Sequence, residues 1–327
     1  MGWLAGRLNY YRRIFPAYFG LGNSQLTFWH EYPEINSNYL RHKLGEYYMP
    51  FLQKANYLGP YDREGIPLLD YRGSLGRQYN PIAIAQFGLG NFNAFCRSGN
   101  TELRNKFLAV ADWLVGALEP NEKGLHVWNH HFDWEYRTKL RAPWQSALAQ
   151  SQGISVLVRA HIETGSKVYL ATARVAFETL KEQTCDGGMI HVDENGDIWL
   201  EEYVVSPPTH ILNGFIWATW GIYDYWLATA DEAARQLFVA TMRTLKNNLA
   251  KYDMGFWSLY ELSGTKLKMI ASPFYHRLHI TQLRILHELT GDELFGHYAA
   301  KWDSYHDSSF NRNAALVYKS VFKLLYY

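Results

Sequence analysis

Apolar positions recur with helical spacing in eight segments, and the eight form four pairs. The first member of each pair is apolar nearly all round and opens near a proline. These members are "NPIAIAQFGLGNFNAF" from Asn80, "APWQSALAQSQGISVLVRAHIETG" from Ala142, "PPTHILNGFIWATWGIYDYWLAT" from Pro207 and "SPFYHRLHITQLRILHELTG" from Ser272. Pro81, Pro143, Pro208 and Pro273 stand about 62 to 65 residues apart, the mark of a repeated unit. Proline suits the first turn of a helix, where its missing N–H costs nothing, so each is read as a helix start. The second members, such as "VYLATARVAFETLKEQ" and "ARQLFVATMRTLKNNLAKY", are more amphipathic.

Short links such as "RSGNTE" and "ETGSK" join the members of a pair, which predicts four antiparallel helical hairpins. The connections between pairs are long and contain strand-like stretches, among them a β-hairpin turning at Glu194, Asn195 and Gly196. The expected fold is mainly α: an α/α barrel of four hairpins, with the proline-led helices inside and short β-hairpins in the long loops. All the long loops then leave at one end, beside the N-termini of the inner helices, where backbone N–H groups favour an anion. Residues 1–60 fall outside the repeat. They read as an N-terminal wrap, with "QLTFWHEYPEI" extended and "NYLRHKLGEYYMPFLQKANY" helical, while residues 61–327 form the barrel domain.

The composition, 48% hydrophobic and 19% charged, supplies a sizeable core. A net charge of +1 argues against nucleic acid as a partner, and no apolar run is long enough to span a membrane. The opening "MGWLAGRLNYYRRIF" lacks the apolar stretch of a signal peptide, which predicts a cytoplasmic protein. Cys96 and Cys185 have no metal or redox spacing and read as two buried thiols rather than a bridge. Aromatic residues make up 16% of the chain; rings pack cores, and they also stack on sugars.

The entries to the four inner helices share a chemistry. The first offers Arg72, Arg77, Gln78 and Tyr79, and the second Arg141 and Trp144. Glu201, Glu202 and Tyr203 precede the third; Tyr275, His276 and Arg277 open the fourth. Within the helices Gln86, Gln150, Asn213, His279 and Gln282 interrupt apolar faces and need a polar surrounding. His130 and His131 with Asp133 and Glu135 are the one cluster that suggests a cation, but they lack a helical metal-ligand spacing, so neither metal nor cofactor is expected.

Five of these stretches, "YNPIAIAQFGLG", "WQSALAQSQGISVLVRAH", "EEYVVSPPTHILNGFIWATWGIYD", "YDMGFWSLYEL" and "FYHRLHITQL", resemble the C-terminal domain of the D-glucuronyl C5-epimerases, in the same order and at similar spacing over roughly residues 70–305. The resemblance implies an α/α barrel with a cleft, conversion of glucuronic to iduronic acid units in a heparosan-like polysaccharide, and a homodimer. It implies catalytic roles for Glu202, Tyr203, Tyr260 and Tyr275, and substrate contact for Asn213. The chain departs from the animal enzymes at "LYELSGT", where they carry an Arg-His pair. From position at the helix mouths, Tyr79, Gln150, His276, Arg277 and His279 join the expected substrate-binding set.

Inverting C5 requires two proton-handling groups on opposite faces of a uronate ring, and neutralisation of its carboxylate as charge builds there. An unperturbed tyrosine, with a pKa of about 10, donates protons at neutral pH, whereas a glutamate accepts them. Glu202 or Tyr203 is expected on one face and Tyr275 on the other, with Tyr260 in support. Arg277, His276 and His279 are candidates to neutralise the carboxylate. A polysaccharide lyase shares the first step, a glycoside hydrolase needs two flanking carboxylates, and a non-catalytic sugar-binding scaffold would use the tyrosines only for stacking.

Overall fold

A computed structural model describes residues 32–71 and 73–326. Residues 1–31, Arg72 and Tyr327 lie outside the described residues; with them go the start read for a leader, part of the stretch expected to be extended, and one arginine of the first helix entry. The four hairpins are present. They pair α2 (Pro81–Ser98) with α3 (Thr101–Ala117), α4 (Ala147–Thr164) with α5 (Lys167–Thr179), α6 (Leu212–Thr229) with α7 (Glu232–Asn248), and α8 (Pro273–Thr290) with α9 (Glu293–Asp307). A four-residue helix α1 (Leu52–Ala55) precedes them, and α10 (Ser309–Tyr326) follows on α9.

Each turn within a hairpin has the same local cause. A residue with positive φ ends the first helix and a polar or acidic N-cap starts the second: Gly99–Asn100, Gly165–Ser166, Ala230–Asp231 and Gly291–Asp292. Asn100, Asp231 and Asp292 each accept a hydrogen bond from a first-turn backbone N–H. Helices α2, α4, α6 and α8 are buried around much of their circumference and pack in sequence, α2 on α4, α4 on α6 and α6 on α8. They form the inner ring of an α/α toroid, with α3, α5, α7 and α9 outside. Among the described residues no helix is long and apolar enough to cross a membrane.

The predicted hairpin is β5 (Ile190–Val192) against β6 (Ile198–Leu200), antiparallel with His191 opposite Trp199. The other strands are two-residue pairs, β1 (Leu69–Asp70) with β2 (Arg77–Gln78) and β3 (Glu119–Pro120) with β4 (His126–Val127).

Two proline starts are displaced. Pro81 and Pro273 occupy the first helical turn, as expected. Pro143 does not, because Trp144 exchanges backbone hydrogen bonds with His130 in a β-bridge; Ser146 then caps α4 from Ala147. Pro208 stands apart from α6 because His210 takes a left-handed φ of 50°, incompatible with a helix, and α6 begins at Leu212. The cysteines are free and exposed rather than buried. Cys96 lies near the outer end of α2 and Cys185 in a short surface turn.

The stretch 38–57 is not a helix beyond α1. Consecutive Tyr47, Tyr48 and Met49 are all buried, which no single helical face permits, because this segment plugs the toroid from inside. It bonds to all four inner helices near their C-terminal ends. Asn93 of α2 accepts from Tyr47 N at 2.6 Å and donates to Met49 O at 2.9 Å. Arg159 of α4 donates to Gly45 O at 2.9 Å and lies over the Tyr47 ring. Asp224 of α6 accepts from Tyr48 OH at 2.6 Å, and Glu288 of α8 from Tyr39 OH at 2.5 Å. Gly90 lets the segment approach α2: a Cβ there would stand 2.5 Å from Phe51 O. Arg159 and Asp224, both buried, are bridged at 2.6 Å. The C-terminal end of the ring is thereby closed, and the opposite end is left for the loops.

Replacing Arg159 by leucine strands the Asp224 carboxylate in the core and is expected to cost about 3–5 kcal/mol of unfolding free energy by urea denaturation. A loss within about 1 kcal/mol, the scale of a surface pair, would mean that the plug is held without the ion pair.

Candidate active site

The N-terminal ends of α6 and α8 meet the loops after β6 and around Tyr260. Beyond β6 the chain bends at Glu202 and Tyr203, and the two adjacent glutamates reach different partners. Glu201 turns one way: its carboxylate accepts from His210 Nδ1 at 2.5 Å and His210 N at 3.2 Å. The His210 ring stacks on Trp199 at 4.2 Å. Glu201 therefore ties down the turn before α6. Glu202 turns the other way, over the first turn of α6, where Asn213 Nδ2 donates to its Oε2 at 3.3 Å. Gly214 makes this possible, since a Cβ there would collide with the Glu202 carboxyl.

Tyr203 stands beside Glu202, and its ring lies 4.7 Å from Tyr136 and 5.6 Å from Trp144. Tyr260 is fixed by backbone bonds on both sides, from its N to Met269 O at 2.8 Å and from Leu212 N to its O at 3.1 Å. The second bond joins the Tyr260 loop directly to the start of α6. Tyr275, in the first turn of α8 above the Ser272 cap, packs edge-on against Tyr260, with ring centroids 4.9 Å apart. Glu202 acts electrostatically on Tyr203, Tyr260 and Tyr275 alike, so the four groups share one neighbourhood.

Burial dominates the acid–base character of this cluster. It raises the Glu202 carboxyl to about 8, and the neighbouring Glu261 and Glu201 charges add to the rise. Interactions with Tyr203 and Asn213 oppose it without prevailing. The phenols of Tyr203, Tyr260 and Tyr275 are pushed well above the usual 10, again chiefly by burial and then by the Glu202 charge. Near neutral pH the three phenols are proton donors, and Glu202 is poised between its two forms.

Two members escaped the sequence reading. Tyr136 donates to the buried Glu261, which also pairs with Arg137 at 2.5 Å. This bonding anchors the Tyr136 ring against Tyr203. The available signal was the acid directly after Tyr260, which needs a cation once buried, and the Tyr136–Arg137 dipeptide that satisfies it.

Asn213 is in the cluster, but the other expected substrate contacts lie elsewhere. Tyr79 is exposed; it bonds to Asp62 at 2.7 Å and rests on Trp113 of the outer ring. Gln150 is consumed by the backbone, donating to His126 O and Ala176 O at 2.9 Å each. His276 is stacked on Trp257 and bonded to Ser258 and Trp302 O, and His279 shares the same Ser258 hydroxyl. Burial lowers His276 to about 3 and His279 well below its ordinary value, which favours the neutral form of both rings. Arg277 lies over Tyr32, 4.4 Å from its ring centre. The suspected cation cluster is dispersed: His130 stacks on Trp144, His131 pairs with Glu119, and Asp133 pairs with Lys139 and Arg141. Among the described residues no group of three metal-ligating side chains lies together.

A cleft of about 570 Å³ adjoins the cluster on the far side of the 258–262 segment, with His191, His210, Lys251, Glu261 and Lys268 in its walls. Below the cluster, amides from three inner helices enter the lumen. Gln86 donates to Gln152 at 3.1 Å and Gln282 to Asn213 O at 2.9 Å.

A family profile described as D-glucuronyl C5-epimerase C-terminus matches residues 121–304, which include every member of the cluster. The chain is 33% identical over 217 residues to a D-glucuronyl C5-epimerase of Caenorhabditis elegans, covering 61% of this chain and 34% of that protein. It is 31% identical over 203 residues to an uncharacterised protein of Methanocaldococcus jannaschii, covering 61% and 64%. The chain thus spans about a third of the first relative's length and under two thirds of the second's. The cellobiose 2-epimerase of Spirochaeta thermophila superposes with a TM-score of 0.51 at 13% identity, over 77% of this chain and 64% of that one, a likeness of fold. With more than half of its length matched by the profile, this chain belongs to the D-glucuronyl C5-epimerase C-terminus family.

Proposed function

We propose that the protein inverts C5 of D-glucuronic acid units in an anionic polysaccharide of the heparosan type, giving L-iduronic acid units. The observation that carries this reading is one buried carboxyl, raised to about 8, beside phenols held as proton donors. The family relationship supports the same chemistry.

In this mechanism Glu202 is the base. A carboxyl titrating near 8 is about a tenth ionised at pH 7 and a far stronger base than an ordinary glutamate. It takes the C5 hydrogen as the electron pair moves into the carboxyl group, giving an enolate-like species. Asn213, bonded to Glu202, orients it, with Tyr203 alongside. Backbone N–H groups in the first turn of α6, whose Ile211 cap makes no side-chain hydrogen bond, face the charge that builds. Tyr275 gives its phenolic proton to C5 from the opposite face, and the neighbouring Tyr260, its ring 4.9 Å away, steadies the phenolate left behind. Each half-reaction conserves charge: one proton goes to Glu202 and one comes from Tyr275.

Proton NMR of a glucuronate polymer in deuterated water is expected to show deuterium entering C5 without chain cleavage. An ultraviolet-absorbing unsaturated product would instead identify a lyase, which shares the abstraction and then expels the C4 substituent.

Glu202→Gln is expected to lower kcat by at least about 100-fold, the low end for a positioned acid–base group. A smaller loss would reduce Glu202 to a loop support. Because the base form is the deprotonated one, kcat/KM should climb with pH and level off above about 8. A profile that falls through this range would make Glu202 the acid.

Tyr275→Phe removes the donor and should abolish C5 exchange while polysaccharide binding, read by calorimetry, stays within about 3-fold, or roughly 0.7 kcal/mol. Exchange at the parent rate would rule out Tyr275 as a proton carrier.

A further inference from the structure

Tyr275 has a second side. A cavity of about 30 Å³ borders it between the plug segment and helices α2, α6 and α8, and Glu202, Tyr203 and Tyr260 are not in its walls. Exposed Tyr32 and Glu34 stand at one end of its wall, buried Lys54 follows, and Gln86, Trp217 and Tyr275 form the interior part. Gln86 and Trp217 are each more than nine-tenths buried, yet Gln86 Oε1 and Trp217 Nε1 have no protein hydrogen-bond partner. One accepts and the other donates. Buried groups of this kind cost free energy unless something polar meets them. A water molecule needs only about 10–15 Å³ and at least two polar partners, which this cavity supplies. A sugar ring does not fit.

We infer that the cavity is a water passage that restores the proton of Tyr275 from behind, with Gln86 and Trp217 positioning the water. The inference rests on the reading of Tyr275 as the proton donor to C5. After donation Tyr275 is a buried phenolate, a strong base, and in this reading the polymer covers the side that faces Glu202 and Tyr260. A water in the passage gives a proton to the phenolate oxygen and takes one from bulk solvent. Glu202, carrying the former C5 hydrogen as a proton, releases it on the cleft side. One proton enters at Tyr275, one leaves at Glu202, and nothing is oxidised or reduced. The two faces of the sugar thus exchange with solvent by separate routes, so the hydrogen removed from C5 is not the one returned.

Two measurements test this. In the resting protein, NMR of isotope-labelled indole should show magnetisation transfer between water and the Trp217 indole N–H, assigned by its loss in Trp217→Phe. No transfer would overturn the passage, whatever the activity. In turnover, Trp217→Phe and Gln86→Leu should each lower kcat by at least about 10-fold with KM unchanged, because resupply of the proton becomes limiting. The effect of deuterium at C5 on kcat should then shrink while the solvent deuterium effect grows. A parent-like kcat, or a fall that keeps the parent's C5 isotope effect, would overturn the supply role. If the unaltered protein never exchanges C5 hydrogen, the epimerase reading fails instead, and the indole measurement still decides whether water occupies the passage.

Discussion

The buried contact between Arg159 and Asp224 governs where this molecule can have a site. A guanidinium and a carboxylate removed from water are tolerable only with full mutual bonding, and here Gly45 O, Tyr48 OH and the Tyr47 ring complete it. These partners come from a segment that precedes the repeat. Its insertion closes the C-terminal end of the inner ring, so the N-terminal end is the one the interhelical loops reach. The polarity of the toroid follows from that choice of floor.

At the open end, a bend after β6 sends two adjacent glutamates to different tasks. Glu201 fixes His210 and the entry to α6, while Glu202 enters the cluster over Gly214. The same desolvation that makes an ionised carboxylate costly brings Glu202 to the neutral range. It raises the phenols as well and leaves them protonated. One physical effect, applied to two kinds of side chain, brings the carboxyl into the neutral range and takes the phenols out of it. The Tyr136–Glu261–Arg137 arrangement then walls the cluster without taking up its acid–base capacity.

The histidines illustrate how far a residue's chemistry depends on its surroundings. His276 and His279 follow Tyr275 on the same helix and look like partners for an anionic sugar. Their rings face Trp257, Ser258 and Trp302 instead, and burial favours their neutral form. Helical rotation between neighbouring positions is enough to take a side chain from a cleft into a core.

The amino-acid pattern by itself determined the four hairpins, because a helix period, a glycine-type stop and an N-cap act over a few residues. Glu202, Tyr203, Tyr260 and Tyr275 are singled out as a set by the resemblance of five ordered motifs to the C5-epimerase family, not by periodicity. The pattern did not reveal the plug, whose consecutive buried aromatics have neither a helical nor a strand period, or the displaced starts of α4 and α6, which depend on bonds to distant loops. Tertiary structure alone decided which polar side chains share a neighbourhood, that Tyr136 and Glu261 join them, and that Tyr79 and Gln150 do not. Direction, burial and acidity are set by whatever surrounds a side chain, and those surroundings come from positions far away in the chain.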